Sequence, residues 1–255
     1  MTSAAQTTQT EARPHAGRVG IFDIVRGFSV VSMVAFHFCY DLKFISGMQL
    51  DWFAPPFQDI WRASISWTFL FVAGCMCALS RNNGKRGLVY GAFALAVFVV
   101  TSVASVDTPI SFGIIFCMAG STLFEWLLER VGAEPRGHAA AAVLFVAFLL
   151  CLRIPYGHLG MGALDVRLPQ WLYATEWFSW LGFPGPHFSS GDYYPLLPFC
   201  LMYLAGAAVG RVWKEKGYPE WAKNASCAPL SFVGRHALLV YALHQPILLA
   251  LSQLF

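Results

Sequence analysis

Seven long apolar segments restrict this chain to a small set of folds. Each has about the 17–25 residues that a helix needs to cross the hydrocarbon core of a bilayer. The segments are Gly20–Phe44, Ile60–Ser80, Gly87–Ala104, Ile110–Leu128, His138–Ile154, Tyr194–Trp213 and Leu230–Leu251. Because lipid cannot satisfy backbone hydrogen bonds, apolar segments of this length span as helices. The sequence therefore predicts an all-α, polytopic integral membrane helical bundle of about seven transmembrane helices.

The charge content agrees with this prediction. Only 12% of the residues are charged and 57% are hydrophobic, whereas soluble domains carry about 25% charged residues. This leaves no material for a second, soluble domain, and no basic arm for nucleic acid is present. Six of the seven cysteines lie inside apolar runs, and no zinc-type ligand spacing occurs. We therefore expect the lipid bilayer as a partner, and neither nucleic acid nor a metal.

Two stretches fall outside the spans. Residues 1–17 are polar and predict a disordered N-terminal tail, so residues 18–255 form the membrane domain. No cleavable signal peptide precedes the first span, which is expected to act as its own anchor. The segment Trp171–Phe183 is rich in Trp, Tyr and Phe but too polar to span. It predicts a helix at the membrane interface, where aromatic rings prefer to lie.

Basic residues gather in alternate connections. The tail and the loops after the second, fourth and sixth segments hold eleven of the seventeen basic residues. They are Arg13, Arg18, Arg81, Lys85, Arg86, Arg130, Arg136, Arg211, Lys214, Lys216 and Lys223. The opposite loops, 46–59, 105–109 and 155–193, contain only Arg167. By the positive-inside rule the N-terminus lies in the cytoplasm and, with seven spans, the C-terminus lies outside.

The first span carries four ionisable residues, Asp23, Arg26, His37 and Asp41. Such groups are costly within a membrane and are therefore candidates for function. Arg26 and His37 share one helix face and stand roughly 16 Å apart along the axis. One interpretation is that Asp23 and Arg26 neutralise each other and His37 bonds a neighbouring helix. The other is that Asp41 orients and polarises His37, which acts as a general base.

The last span holds a second group of polar residues. Arg235 and His236 lie near its predicted cytoplasmic end, and His244 and Gln245 lie further out, before Pro246. A proline at this place frees a backbone carbonyl one turn earlier. For His244, an interhelical hydrogen bond and a catalytic role are both open.

The loop before the sixth span is a third candidate. Its sequence around Asp192 and Tyr193 is compatible with a solvated turn or with binding of an acceptor.

The chain resembles the bacterial proteins related to the heparan-alpha-glucosaminide N-acetyltransferase catalytic domain. The similarity rests on Phe22–Gly27 followed by His37–Leu42, on Asp192–Pro198, and on Gly234–Pro246. The spacing from Arg26 to His37 also matches the Arg-x10-His pattern of the broader membrane acyltransferase superfamily. The resemblance covers most of residues 18 to 250.

The resemblance implies a membrane acyltransferase of the bacterial inner (cytoplasmic) membrane. Its donor would be acetyl-CoA or another acyl-CoA from the cytoplasm, and its acceptor a hydroxyl or amine, commonly on a glycan, near the outer face. The implied catalytic residues are His37, as general base or transient acyl carrier, and Asp41.

The remaining candidates divide between the two substrates. Donor binding falls to Arg26 with Asp23, Arg235 and His236, and acceptor binding to His244, Gln245, Asp192 and Tyr193. A proton-coupled transporter and a non-catalytic scaffold of an envelope pathway are the alternatives. The oligomeric state stays open, with a homo-oligomer possible.

Overall fold

The structure is a computed structural model that describes residues 19–105, 107–252 and 254. Within them the chain is mostly helical. The helices are α1 (Gly20–Tyr40), α2 (Phe57–Cys75), α3 (Asn83–Ala104), α4 (Ile114–Arg130), α5 (Gly137–Cys151), α6 (Leu196–Lys216), α7 (Glu220–Asn224), α8 (Ala228–Arg235) and α9 (Ala237–Ser252). The predicted disordered tail, residues 1–17, lies outside the described residues.

Five helical segments of the described chain are long and apolar enough to cross a membrane. They are Gly20–Ile45, Phe57–Leu79, Asn83–Ala104, Gly137–Tyr156 and Leu196–Lys216. These match five of the seven predicted spans. The fourth predicted span contains α4, of 17 residues, and the seventh is divided at His236 between α8 and α9. The total of seven spans and the orientation stay predictions.

Helix α6 forms the centre of the bundle and packs against α2, α4 and α5. The backbones of α2 and α6 approach closely, because Gly74 faces the Tyr203 carbonyl and Gly206 faces the Phe71 carbonyl, with no room for a Cβ at either glycine. Small residues allow this approach between membrane helices. Tyr203 and Leu70 are fully buried beside this contact.

The last part of the chain, α7 to α9, runs alongside α1 and parallel to it. Gly27 of α1 crosses Gly234 of α8, and neither position has room for a Cβ. At the far end the Ser46 hydroxyl donates to the Ser252 carbonyl at 2.8 Å. The last predicted span therefore packs against the first over the whole length of α1.

The two ends of the bundle differ in charge. We call the end that carries Lys85, Arg130, Arg136 and Lys214 the basic end. The other end, which we call the loop end, carries the long connection between α5 and α6. This connection includes a two-stranded antiparallel hairpin, β1 (His158–Leu159) with β2 (Val166–Arg167).

The segment Trp171–Phe183 corrects one prediction. It forms no continuous helix but two single 3-10 turns, Gln170–Tyr173 and Glu176–Phe178. Pro169 precedes it, and Gly182 has a φ of +134°, which an α-helix cannot contain. Trp171 and Trp177 are exposed, and the location of the segment at the membrane interface stays a prediction.

Candidate active site

Two histidines from opposite ends of the sequence face each other between α1 and α9. The ring centroids of His37 and His244 lie 5.1 Å apart, with the planes tilted by 59°. His244 is buried, with 8% of its surface exposed. Phe36 contacts the His37 ring edge-on at 5.8 Å, and Tyr241 lies 5.5 Å from His244. We call His37 and His244 the histidine pair.

One turn further along, Asp41 meets Gln245. The Gln245 side-chain amide donates to both carboxylate oxygens of Asp41, at 3.0 and 3.2 Å. Asp41 is fully buried. We call these two residues the carboxylate–amide pair, and the contact of both pairs the α1–α9 seam.

The expected Asp41–His37 contact is replaced by this arrangement. Within the described residues no hydrogen bond joins the two side chains, although they are one helical turn apart. Helix α1 is followed directly by a π-turn, Asp41–Ile45. Such π-turns are frequent at functional sites.

The backbone fixes the protonation of His244. Its Nδ1 lies 2.7 Å from the Tyr241 carbonyl oxygen, and a carbonyl can only accept, so Nδ1 carries a proton. A neutral imidazole then keeps its lone pair on Nε2. The outcome is an imidazole whose basic nitrogen is the one not bound to its own helix.

Acidic groups of the loop end lie near the seam. Asp107, in the connection between α3 and α4, interacts electrostatically with Tyr40 and Asp41. Asp192 likewise interacts with Tyr241, the neighbour of His244. The α1–α9 seam therefore lies near the loop of Asp192, which the sequence analysis associated with the acceptor.

Asp192 and Tyr193, predicted to bind the acceptor, hold these loops together. The Ile114 backbone N–H donates to the Asp192 carboxylate at 3.0 Å, at the start of α4. The Tyr193 hydroxyl donates to the Ser179 carbonyl at 2.6 Å. Burial raises the pKa of Asp192 to about 6, against the opposing effects of the Ile114 N–H and Arg62.

The donor-binding candidates are divided. Arg26 pairs with Asp23 at 3.0 Å and contacts the Met76 sulfur at 3.5 Å, which is the mutual neutralisation considered above. Arg235 and His236 are exposed at the break between α8 and α9, where His236 Nδ1 lies 2.9 Å from the Phe232 carbonyl of its own helix. Arg26 thus lies between packed helices, whereas Arg235 and His236 lie at the surface.

A buried ion pair was missed by the sequence analysis. Glu125 of α4 is fully buried and pairs with Arg211 of α6. Asn83 lies beside it, donating to the Cys77 carbonyl at 3.1 Å and to Glu125 at 3.5 Å. The signal was available, because Glu125 and Arg211 both fall within predicted spans. Arg211 lies at the end of the sixth predicted span and was counted with the basic residues of the loop that follows it. We call Glu125, Arg211 and Asn83 the ion-pair cluster.

The residues that the structure describes contain no group of three or more His, Cys, Asp or Glu side chains placed to hold a metal ion.

Comparison with known proteins gives one match. A family model described as heparan-alpha-glucosaminide N-acetyltransferase, catalytic, matches residues 18–246. This range includes α1, the α1–α9 seam and the ion-pair cluster. No curated protein and no solved structure matches the chain.

Proposed function

Because the chain belongs to the heparan-alpha-glucosaminide N-acetyltransferase catalytic family, we propose that it transfers an acyl group from acyl-CoA to a hydroxyl or amine acceptor. The family implies transferase activity and a membrane enzyme. The acetyl group is the acyl group that the family name indicates. The acceptor class that we propose is a sugar or glycan.

The histidine pair is the observation that carries this proposal. Acyl transfer needs a group that takes a proton from the acceptor as its oxygen or nitrogen bonds to the thioester carbonyl carbon. The carbon–sulfur bond then breaks, and the CoA sulfur takes up a proton. Two facing imidazoles, enclosed by Phe36 and Tyr241, are suited to this proton transfer. Within the pair we assign His37 the role of general base or transient acyl carrier.

The basic end supports donor binding. Arginine side chains bind phosphate through paired N–H donors, and Arg26 stands roughly 16 Å from His37 along α1. An acyl-CoA with its phosphates near Arg26 would extend its pantetheine arm along α1 towards the histidine pair. Asp23 would orient Arg26, and the exposed Arg235 and His236 would attract the nucleotide part.

The loop end supports acceptor binding. Gln245 has a buried amide oxygen without a hydrogen-bond partner among the described residues, and this oxygen can accept from an acceptor hydroxyl. His244 lies next to it, while Asp192 and Tyr193 fix the loops above. In this proposal the basic end faces the cytoplasm of a bacterial cell and the loop end faces outwards.

Purified protein in detergent tests the proposal with acetyl-CoA as the probe. We expect binding by wild type, weaker binding by Arg26→Ala, and unchanged binding by His37→Ala. Lys85→Ala, which removes an exposed charge at the same end, is the matched control and should bind like wild type.

Transfer should separate the same variants. His37→Ala should lower the release of CoA thiol in the presence of an acceptor by roughly 10²–10⁴-fold, the contribution typical of a positioned histidine. Failure of folded wild type to bind or consume acetyl-CoA and longer acyl-CoAs would contradict the enzyme proposal. Proton-coupled uptake by reconstituted vesicles without acyl-CoA would favour a transporter instead.

A further inference from the structure

We propose that His244 is a second catalytic residue: within the histidine pair its Nε2, and not His37, takes the proton from the acceptor, and of the two roles proposed for His37 that of transient acyl carrier remains. This inference rests on the proposed acyl transfer and deepens it. The residue pattern alone left His244 between a helix-packing role and a catalytic one. Its surroundings in the folded chain distinguish between these roles.

The first argument is the direction of its lone pair. A histidine that serves only to join two helices uses its ring nitrogens as bridges between them. Here Nδ1 bonds the Tyr241 carbonyl of its own helix at 2.7 Å, Val240 of the same helix is the other backbone partner, and within the described residues no ring hydrogen bond reaches another helix. Because the proton is on Nδ1, the lone pair of the neutral ring lies on Nε2.

The second argument is that His244 is held and His37 is not. A base acts best when another group fixes its tautomer and orientation. The Tyr241 carbonyl does this for His244. The ring of His37 contacts Phe36 and His244, and within the described chain no hydrogen bond selects its tautomer.

The third argument concerns the other base at the seam. Asp41 was expected to polarise His37, but both its oxygens receive the Gln245 amide at 3.0 and 3.2 Å. The same amide group holds Gln245, the next residue after His244, against α1. The carboxylate–amide pair therefore fixes the position of α9 relative to α1, and the imidazole beside it remains for proton transfer.

The proposed step balances within these groups. The acceptor O–H or N–H bond breaks, and its proton passes to Nε2 of His244. Beforehand a ring nitrogen of His37 has bonded to the thioester carbonyl carbon, the carbon–sulfur bond has broken, and the CoA thiolate has taken the N–H proton of His37. The acceptor atom then bonds to the acyl carbon, the bond from that carbon to His37 breaks, and the departing His37 nitrogen takes the proton from Nε2 of His244. His244 ends the cycle neutral, with its Nδ1–H still on the Tyr241 carbonyl.

Imidazole rescue tests this role in the full-length protein in detergent. The probes are acetyl-CoA and glucosamine, and the readouts are acetyl-CoA binding and release of CoA thiol. We expect His244→Ala to keep the KM for acetyl-CoA while its kcat falls by roughly 10²–10⁴-fold. Added imidazole should restore part of that loss, and more basic imidazoles should restore more. Leu243→Ala, at the exposed neighbouring position, should behave like wild type.

The outcomes separate the two proposals. Active wild type with His244→Ala within tenfold of it overturns the role of His244 and leaves acyl transfer standing. A folded, acetyl-CoA-binding His244→Ala that imidazole does not rescue also overturns it. If His244→Ala does not fold, His244→Gln, which keeps the bulk and an N–H donor without the base, takes its place and should show the same loss of kcat. Wild type that releases no thiol overturns the acyl-transfer proposal and this inference with it.

Discussion

Glu125 and Arg211 meet at the basic end as opposite charges, whereas the α1–α9 seam brings together two histidines, a carboxylate and an amide. In the ion-pair cluster each buried charge has a counter-charge. At the seam Asp41 has a neutral partner, Gln245, and within the described residues it forms no ion pair. Burying a charge is expensive unless it is paired. The buried charges of the ion-pair cluster are therefore compensated, whereas the buried carboxylate of the α1–α9 seam has no counter-charge in the described part of the chain.

This difference indicates what each region contributes. Removing one member of the ion-pair cluster leaves an uncompensated buried charge, so the damage falls on the fold. Removing a neutral imidazole at the seam leaves no charge behind, so under the proposed function the loss is expected in acyl transfer and not in stability. Variants in the two regions should therefore separate stability from activity.

The largest effect on stability is expected at Glu125. Glu125→Ala strands the Arg211 guanidinium in the bundle, and breaking a buried pair costs roughly 3–5 kcal/mol. Thermal unfolding in detergent should show this loss, and replacing Arg211 as well, by methionine, should recover much of it. Glu129→Ala, four residues away and exposed, is the control. Equal stability of the Glu125→Ala and Glu129→Ala variants would contradict the stabilising role of the ion-pair cluster.

A smaller loss is expected at the carboxylate–amide pair. Gln245→Leu leaves the buried Asp41 carboxylate without its hydrogen bonds, which costs about 1–3 kcal/mol. Asp41→Leu combined with Gln245→Leu removes both polar partners and should be closer to wild type in stability. The same unfolding measurement applies. A double variant less stable than the single one would show that Asp41 has another essential partner.

A pH-dependent change in stability tests the description of the loop end. The pKa of Asp192 is raised by burial from 3.8 to about 6, so the folded state favours the protonated acid. Its contribution to stability is full below about pH 4 and is lost as the pH rises through about 6. Relative to Asp192→Asn, wild type should therefore lose about 2–3 kcal/mol across this interval, because a pKa difference of one is worth about 1.4 kcal/mol. Unfolding at pH 4, 5, 6 and 7 measures it, and a constant difference would contradict the raised pKa.

Length and polarity were enough to predict the helical bundle and the polar face of the first span. Apolar runs define helices in lipid because the chain has no alternative there. The division of the last span into two helices could not be predicted in this way. Pro246, which frees a backbone carbonyl one turn earlier, lies inside α9, and the division of the last span occurs ten positions before it, at His236. The division follows directly after the contact of Gly234 with α1 near Gly27, and a contact between helices cannot be read from the residues of one span.

Partners were harder to predict than positions. His37 and Asp41 were both singled out, but their spacing in one helix paired them with each other, whereas the partner of Asp41 is Gln245, which another helix brings to it. The ion pair of Glu125 with Arg211 could be predicted only by considering two helices together. A rule that pairs an acid and a base at the same depth of two predicted spans would have found them.

The α1–α9 seam also has a consequence for the making of the protein. Asp41 and Gln245 are 204 positions apart in the chain, so the first helix enters the membrane long before its partner has been translated. Until then the His37 side of the seam faces lipid or the helices already inserted. The α1–α9 seam can form only after α9 has been synthesised, so a nascent or truncated chain that ends before Gln245 lacks the carboxylate–amide pair.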